Sequence, residues 1–258
     1  MNYNEKNLCV IIHSHNEELN IKECIESAHR LSKTVVLIDM ESTDKTVEIA
    51  SKMNVVVYSF PHAQYVEPAR EFGIEKARTD WVLILDADER IDRALAEEIK
   101  MTLSQHMEYT HYKIRRKNIF GRIKWLRRGG WWPDEQIRLI QKKYFKGWPT
   151  KIHSTPRVEG SVGLLHNSLS HFFHGNLTTM VEKTIIYEEI EAELLFKAGR
   201  KVSTLTFFRK FFGELYRRLL KRIGFMDGPI GIIEGIYQAH SKTITQLFLY
   251  EKKESRSL

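Results

Sequence analysis

The stretch Trp81–Arg90, which reads WVLILDADER, joins a short apolar run to two acidic residues. A continuous apolar run of this length is typical of a strand that is covered on both faces, as in the centre of a parallel sheet. In open α/β sheets, ligands bind where such strands end. Asp86 and Asp88 therefore predict a site for a divalent cation, which can in turn bind a diphosphate. A plainer alternative is that both acids end the strand and cap a helix that begins near Ile91.

Apolar runs and helical patterns alternate in the residues before this stretch. The runs predict strands at residues 8–13, 34–38 and 55–58, and the patterns predict helices at about 20–31, 44–50 and 67–77. Asn20 and Glu23 predict a capping box at the start of the first helix. Alternation at this spacing indicates right-handed βαβ units and a mainly parallel sheet.

Polar side chains follow three of the four predicted strands. Asn16 follows the first, Asp39 the second, and Asp86 and Asp88 the fourth. Because ligands bind at the carboxyl ends of the strands in such sheets, we expect these side chains to form one acidic rim. No Gly-x-Gly-x-x-Gly follows the first strand, and the chain has no Walker-type Gly/Lys loop. The usual dinucleotide and P-loop sites are therefore disfavoured.

Four motifs, in order and spacing, resemble the inverting family-2 glycosyltransferases of GT-A fold. They are VIIHSHNEE at residues 10–18, LIDMESTDKT at 37–46, LDADER at 85–90 and GGWWPDEQIRL at 129–139. The last motif and the segment DGPIG at 227–231 are similar to the bacterial β-1,4-glucosyltransferases that build the lipopolysaccharide inner core. The resemblance covers nearly the whole chain. It implies a Rossmann-like α/β fold, with a mainly parallel sheet and a C-terminal helical extension.

The resemblance implies that the first strand ends hold the nucleotide of a UDP-sugar donor. Asp39 would accept a hydrogen bond from the imide of uracil, while Asn16, Glu17 and Glu18 would contact the nucleoside. Arg70 corresponds to the arginine that family members carry near the nucleotide. Its planar fork suits a diphosphate or a carboxylate partner.

The resemblance also implies a Mg²⁺ or Mn²⁺ ion at the fourth strand end. Asp86 would face the ribose and the metal, and Asp88 would ligate the cation directly. The ion would neutralise charge on the departing nucleoside diphosphate. His171 and His174 are further candidate ligands, although a histidine among phenylalanines is often simply packed. The resemblance favours His171, because relatives carry a histidine there.

Inversion at the anomeric carbon needs a base on the side opposite the leaving group. The resemblance assigns this role to Asp134, with Glu135 as the second candidate. An acid beside the indoles of Trp131 and Trp132 would be partly desolvated, which raises its pKa. The alternative is that the indoles are core and Asp134 is a solvated turn residue. Gln136 and Arg138 would face the donor diphosphate or the acceptor, although Arg138 could equally be a surface charge.

The chain of 258 residues, 42% of them hydrophobic, can bury one substantial core. We expect a catalytic domain at 1–175, with its nucleotide-sugar half at about 1–110 and its acceptor half at 111–175. A helical extension at 176–250 and a tail at 251–258 would follow. Cys9 and Cys24 lie in predicted core elements, which indicates a reducing compartment without disulfides. With no signal peptide pattern and no long apolar run, we expect a cytoplasmic protein.

The formal net charge of +7 is concentrated in two segments. Residues 113–128 interleave basic and aromatic side chains, and residues 204–223 have the pattern of an amphipathic helix. That helix could lie in an anionic membrane surface, peripherally on the inner face of the cytoplasmic membrane. Equally, it could pack on the catalytic domain, because core helices show the same periodicity.

The sequence therefore predicts a metal-dependent transfer of a hexose, most simply glucose, from a UDP-sugar. The acceptor would be a glycolipid, a polysaccharide or a lipopolysaccharide core. Two other classes compete with this interpretation. A nucleic-acid-binding protein would account for the basic run, but phosphates would be repelled by the acidic rim, so we expect no nucleic acid partner. A non-catalytic membrane-surface protein would use the amphipathic helix and none of the acids.

Overall fold

The computed structural model describes residues 7–105, 108–173 and 177–255. Its chain divides into two compact units. The first unit comprises Met1–Arg116 and Asp134–His171, and the second comprises Lys117–Pro133 and Phe172–Leu258. A segment from the middle of the chain thus belongs to the same unit as the C-terminal helices.

A nine-stranded sheet dominates the fold. Its strands are β1 (Leu8–Ser14), β2 (Thr34–Asp39), β3 (Val56–Ser59), β4 (Trp81–Asp86), β5 (Glu89–Arg90), β6 (His111–Phe120), β7 (Lys124–Trp125), β8 (Glu135–Gln141) and β11 (Val162–Phe173). The strand order is β3-β2-β1-β4-β8-β6-β11-β5, with β7 paired to β6. Strands β9 (Phe145–Gly147) and β10 (Arg157–Val158) form a separate antiparallel pair.

The parallel order predicted for the first four strands is confirmed. Strand β1 pairs in parallel with β2 and β4, and β2 pairs in parallel with β3. Beyond β4 the pairings of β8, β6, β7 and β5 are antiparallel, so the sheet is mixed. The register aligns Ser14 with Asp39 and His13 with Asp86, which brings the strand ends together at one edge.

Both faces of the parallel half are covered, as the apolar run of β4 predicts. Alternate residues of β1 enter two separate buried clusters, Val10 in one and Ile11 in the other. Helices α1 (Ile21–His29), α2 (Thr46–Ser51) and α4 (Arg93–Ser104) contribute to the first cluster, and α3 (Glu67–Lys76) contributes to the second. Helix α3 packs closely on β1 at Gly73, where a Cβ would lie 2.9 Å from Ile11 Cγ2.

The N-termini of α4 and α1 test two predictions about helix-capping residues. The N-cap of α4 is Asp92, which accepts a hydrogen bond from the Leu95 amide, so Asp86 and Asp88 do not cap this helix. The capping box at Asn20 is wrong, because no side chain caps the start of α1. The side-chain amide of Asn20 instead donates to the carboxylate of Glu17 at 2.7 Å.

The second unit contains three longer helices, α5 (Leu177–Lys197), α6 (Thr204–Leu215) and α7 (Pro229–Glu254). A π-helical turn at Tyr216–Lys221 follows α6, and a 3₁₀ turn at Gly224–Asp227 precedes α7. Helix α7 reaches into the segment 251–258 that was predicted as a tail. The buried carboxylate of Glu188 on α5 accepts hydrogen bonds from Ser241 and Thr245 on α7. In the described part of the chain, no helix combines the length and apolarity that crossing a membrane requires.

Cys9 and Cys24 are both buried free thiols. Burial raises the pKa of the Cys9 thiol to about 12. A thiol with so high a pKa stays protonated at neutral pH and is a poor nucleophile. The two cysteines therefore serve as small apolar core residues.

Candidate active site

Asp39 ends β2 in a buried position and is bonded by two serines. Ser14 Oγ donates to Asp39 Oδ1 at 3.1 Å, and Ser42 donates to the same oxygen through its hydroxyl at 2.6 Å. The Ser42 amide donates to Asp39 Oδ2 at 2.9 Å. A carboxylate has about four acceptor positions, and three are filled by these bonds. The fixed carboxylate thus retains the capacity to accept one further N–H.

The turn at Asn16, Glu17 and Glu18 is tied to the turn after β2. Asn16 adopts a left-handed conformation with φ of 54°, and its side-chain oxygen accepts from the Thr43 amide at 2.8 Å. The Glu18 carboxylate accepts from the Lys45 amide at 3.1 Å. These bonds join the first two strand ends into one rim. They give the three residues a structural role in addition to any contact with a nucleoside.

Asp86 ends β4 between two arginines of the same unit. Its Oδ1 is 2.6 Å from Arg70 Nη2, and its Oδ2 is 2.7 Å from Arg138 Nη2. Burial would by itself raise the pKa of the Asp86 carboxyl, but the charges of Arg138 and Arg70 outweigh it and hold the pKa well below its usual value. Asp86 is therefore an ionised, positioned carboxylate. The alternative that Arg138 is a surface charge is wrong, since it is only 4% exposed.

His13 is a buried neighbour of Arg70 that the sequence did not single out. Arg70 Nη1 lies 3.2 Å from His13 Nδ1, and His13 Nε2 lies 3.3 Å from the Ala69 carbonyl. Burial and the charge of Arg70 lower the pKa of His13 to about 3. The imidazole is thus neutral at physiological pH. It accepts from Arg70 and donates to Ala69, which fixes the guanidinium against Asp86.

Glu89 extends this ionic network from Asp86 to Asp134. It is fully buried, and its Oε1 is 2.6 Å from Arg138 Nη2 and 3.5 Å from Arg116 Nη1. Arg116 Nη2 in turn lies 2.8 Å from Asp134 Oδ2. Alternating charges therefore connect the acid at the end of β4 with the acid that precedes β8. Neither Glu89 nor Arg116 was assigned a role from the sequence.

Asp134 and Glu135 have different surroundings. Asp134 accepts from Arg116 and from Gln136 Nε2, the latter at 2.9 Å. Glu135 is opposite Arg115 across β6 and β8, and its Oε1 is 3.3 Å from Arg115 Nε. Adjacent residues of a strand point to opposite faces, so Gln136 and Arg138 share one face and Glu135 lies on the other. Of the two candidate bases, Asp134 is the one joined to the Asp86 network.

Asp88 and His171 form the part of the site that suits a metal ion. Strand β11 pairs with β5 so that His171 is opposite Glu89, and His171 Nε2 lies 3.4 Å from Asp88 Oδ2. Adjacent ligands of an octahedral ion are about 3 Å apart, so the two side chains could share one cation. His174, the other histidine considered, lies outside the described residues.

Asp86, Asp88 and His171 do not form a ready-made cluster. Across residues 7–105, 108–173 and 177–255, no three or more His, Cys, Asp or Glu side chains are grouped as a metal site. Mg²⁺ is usually held by one or two carboxylates together with substrate phosphates. Asp88 and His171, together with the oxygens of a diphosphate, therefore fit the donor set of such an ion. Asp86 is already bonded to Arg70 and Arg138.

Comparison with known proteins identifies relatives over most of the chain. Residues 9–156 match the profile described as Glycosyl transferase family 2. The chain is 27% identical over 254 residues to the lipopolysaccharide core biosynthesis glycosyltransferase LpsC of Rhizobium meliloti, covering 92% of this chain and 89% of that protein. It is also 27% identical over 258 residues to an uncharacterised glycosyltransferase of Rickettsia typhi, with 92% and 84% covered.

Solved structures with the same architecture include two that contain a sugar nucleotide. S. aureus TarS in complex with UDP-GlcNAc aligns with a TM-score of 0.51 and 14% identity, covering 96% of this chain and 92% of that one. The mannosyltransferase PcManGT from Pyrobaculum calidifontis, in complex with GDP-Man and Mn²⁺, aligns with a TM-score of 0.51 and 13% identity, covering 95% and 85%. At this identity the likeness establishes the fold, which is the GT-A fold with added C-terminal helices.

Proposed function

This chain belongs to glycosyl transferase family 2, and from that membership we propose that it transfers a hexose, most simply glucose, from a UDP-sugar with inversion at the anomeric carbon. The observation that carries the proposal is the ionic network from Asp86 through Arg138, Glu89 and Arg116 to Asp134. It joins a strand-end site suited to a sugar nucleotide to a positioned carboxylate suited to act as a base.

Donor binding uses the strand-end groups. Asp39 accepts a hydrogen bond from the imide N–H of uracil, for which its carboxylate retains acceptor capacity. Arg70 and Arg138 would offer the diphosphate planar N–H forks. Asp88 and His171 would hold the Mg²⁺ or Mn²⁺ ion, whose charge stabilises the leaving nucleoside diphosphate. TarS and PcManGT, whose structures contain UDP-GlcNAc and GDP-Man, support a sugar-nucleotide donor.

Asp134 acts as the general base in this proposal. It accepts the proton of the acceptor hydroxyl as that oxygen attacks the anomeric carbon. Its ion pair with Arg116 holds one carboxylate oxygen in place. Gln136 holds the other carboxylate oxygen and so fixes the orientation of the group. The name of LpsC supports a glycolipid acceptor of the lipopolysaccharide-core type.

A thermal-shift screen of nucleotide sugars tests the proposed function. UDP-glucose, UDP-GlcNAc, GDP-mannose and dTDP-glucose would each be added with MnCl₂ or with EDTA. We expect UDP-sugars at about 100 times their Kd, with Mn²⁺, to raise the Tm by about 5 °C or more. EDTA should remove most of that shift. The absence of a shift with every nucleotide sugar, with or without metal, would contradict the proposal.

The helical unit supports a peripheral contact with an anionic membrane surface. A stripe of Leu205, Phe208, Phe212, Tyr216 and Leu220 repeats at three- and four-residue spacing, with exposed fractions between 52% and 78%. Basic residues flank this apolar stripe on the same turns, namely Arg209, Lys210, Arg217 and Lys221. Large apolar side chains beside basic ones are typical of helices that lie in a membrane interface. Phe211, Leu215 and Leu219 lie on a different face and are partly buried, and Leu219 packs near Gly235 of the same unit.

Liposome flotation tests the role of the apolar stripe. We expect the protein to bind vesicles that contain phosphatidylglycerol more strongly than neutral phosphatidylcholine vesicles, because basic residues attract anionic lipid. A Phe208→Ser/Phe212→Ser variant should bind at least tenfold more weakly, because burial of each phenylalanine side chain in the membrane interface contributes about 2 kcal/mol to binding. Met101→Ser, which changes an exposed apolar residue of α4, is the control. Equal binding of the double variant and the parent would exclude this surface.

A further inference from the structure

The second unit contains a pocket of about 370 Å³ lined by basic side chains. Three arginines, Arg127, Arg128 and Arg222, line it together with the indole of Trp132. Its volume lies in the range of small-ligand sites, which is about 300–1,000 Å³. None of the residues assigned to the donor site lines this pocket.

The three guanidinium groups have no acidic partner among the described residues. The carboxylate of Asp227 accepts from the backbone amides of Arg127 and Arg128, at 2.8 Å and 2.7 Å, and not from their guanidinium groups. Segment 117–133 contains five basic residues and no acidic one. Like charges brought together without a counter-charge repel one another, so the pocket favours an anion.

The folded chain holds these arginines in place. The Gly129 amide donates to the Arg222 carbonyl at 2.9 Å. Gly130 has a φ of +89°, which favours glycine, and the Arg222 side chain passes through the space that a Cβ there would occupy. Arg127 lies over the Trp125 ring at 4.2 Å, and Trp125 contacts Trp132 edge-on at 5.3 Å. Positions set by backbone bonds and ring contacts lower the entropy lost when a ligand binds.

We propose that this arginine pocket binds a phosphate monoester carried by the acceptor saccharide. Guanidinium forks match phosphate oxygens in bidentate geometry, and three of them can neutralise a doubly charged group. Trp132 offers an apolar face on which the sugar ring that bears the phosphate can pack. The assignment to the acceptor rests on the proposed function, and Asp134, the proposed base, directly follows the pocket segment in the sequence. A phospholipid headgroup is the other possible source of the same chemistry.

Calorimetry with glucose 6-phosphate tests the pocket, in EDTA so that no metal recruits phosphate elsewhere. We expect glucose 6-phosphate to bind, and glucose to bind at least tenfold more weakly. Arg128→Gln and Arg222→Gln should each weaken binding about tenfold or more, as the loss of a charge-assisted bond predicts. Lys201→Gln, which removes an exposed charge elsewhere in the same unit, should leave the affinity unchanged. Circular dichroism checks that each variant is folded.

The outcomes separate the sources of the phosphate. Glycerol 3-phosphate binding as tightly as glucose 6-phosphate would overturn the saccharide assignment in favour of a lipid headgroup. The pocket itself would be overturned if the parent bound no phosphate, or if both arginine variants bound glucose 6-phosphate as tightly as the parent. A separate titration with UDP and Mn²⁺ reports on the donor site. Failure there with retained glucose 6-phosphate binding would refute the proposed function and leave the phosphate site standing.

Discussion

An Asp134→Asn variant is expected to lose about 10²- to 10⁴-fold in kcat, the usual contribution of a general base. The substitution keeps the size of the side chain and its hydrogen bond to Gln136, but an amide cannot accept the proton of the acceptor hydroxyl. Since Asp134 is not assigned to the donor, the Kd for UDP in the presence of Mn²⁺ should stay within about twofold. Steady-state transfer assays and calorimetry measure the two quantities.

Glu135→Gln is the matched control for this prediction. It makes the same chemical change one residue away, where the carboxylate contacts Arg115 instead of the Asp86 network. We expect its kcat to stay within about threefold of the parent, because loss of a partly exposed ion pair has a small effect. If Asp134→Asn were as active as the parent, or if Glu135→Gln were the inactive variant, the assignment of the base would be wrong.

An Asp88→Asn variant is expected to be impaired in metal-dependent binding of the donor, the step before sugar transfer. Loss of the carboxylate removes a ligand of the divalent ion, so UDP should bind about tenfold or more weakly in Mn²⁺. The kcat should also fall by about 10²- to 10³-fold, because charge on the leaving diphosphate is no longer neutralised. Addition of EDTA should lower UDP affinity strongly in the parent and little in the variant.

Asp80→Asn controls for the removal of a negative charge near β4. Asp80 is exposed and directly precedes Trp81, at the end of the strand away from Asp86. This variant should keep the parent's metal dependence and UDP affinity. Comparison of Asp88→Asn with Asp134→Asn separates the effect on UDP binding from the effect on the chemical step. If UDP affinity in Asp88→Asn equalled that of the parent and responded equally to EDTA, a metal role for Asp88 would be refuted.

Local patterns in the sequence were enough to predict the parallel half of the sheet and the acids at its edge. Four apolar runs separated by helical segments fix the βαβ order, and residues such as Asp39 and Asp86 must follow their strands directly. The edge that they share is a consequence of parallel pairing. That part of the fold depends on contacts between elements that are neighbours in the sequence.

The rest of the candidate site depends on pairings between distant segments. Glu89 appears in the sequence as an ordinary polar residue after a strand, and it is buried because β11 pairs with β5 some eighty residues later in the chain. Arg116 is one of several basic residues in the run 113–128, and nothing in the sequence distinguishes it as the partner of Asp134. A signal was available in the unbroken DADER motif, where a third acid follows the first two. Its partner arginines could not be chosen from spacing alone.

The amphipathic segment at 204–223 does not form the single regular helix that its pattern predicts. A single helical face was predicted, but the chain forms α6 and then a π-helical turn, which rotates the later side chains relative to a regular α-helix. Leu219 consequently packs near Gly235 of α7, where a Cβ would lie 2.4 Å from it. Leu205 and Phe212 remain exposed.

A crystal structure with UDP and Mn²⁺ tests most directly that the strand ends form one sugar-nucleotide site. We expect the ion within about 2.3 Å of Asp88 and His171 and bound to both phosphates, as metal–ligand distances require. The uracil imide should lie within hydrogen-bond distance of Asp39. UDP bound away from these strand ends, or an ion that none of Asp86, Asp88 and His171 contacts, would contradict the account.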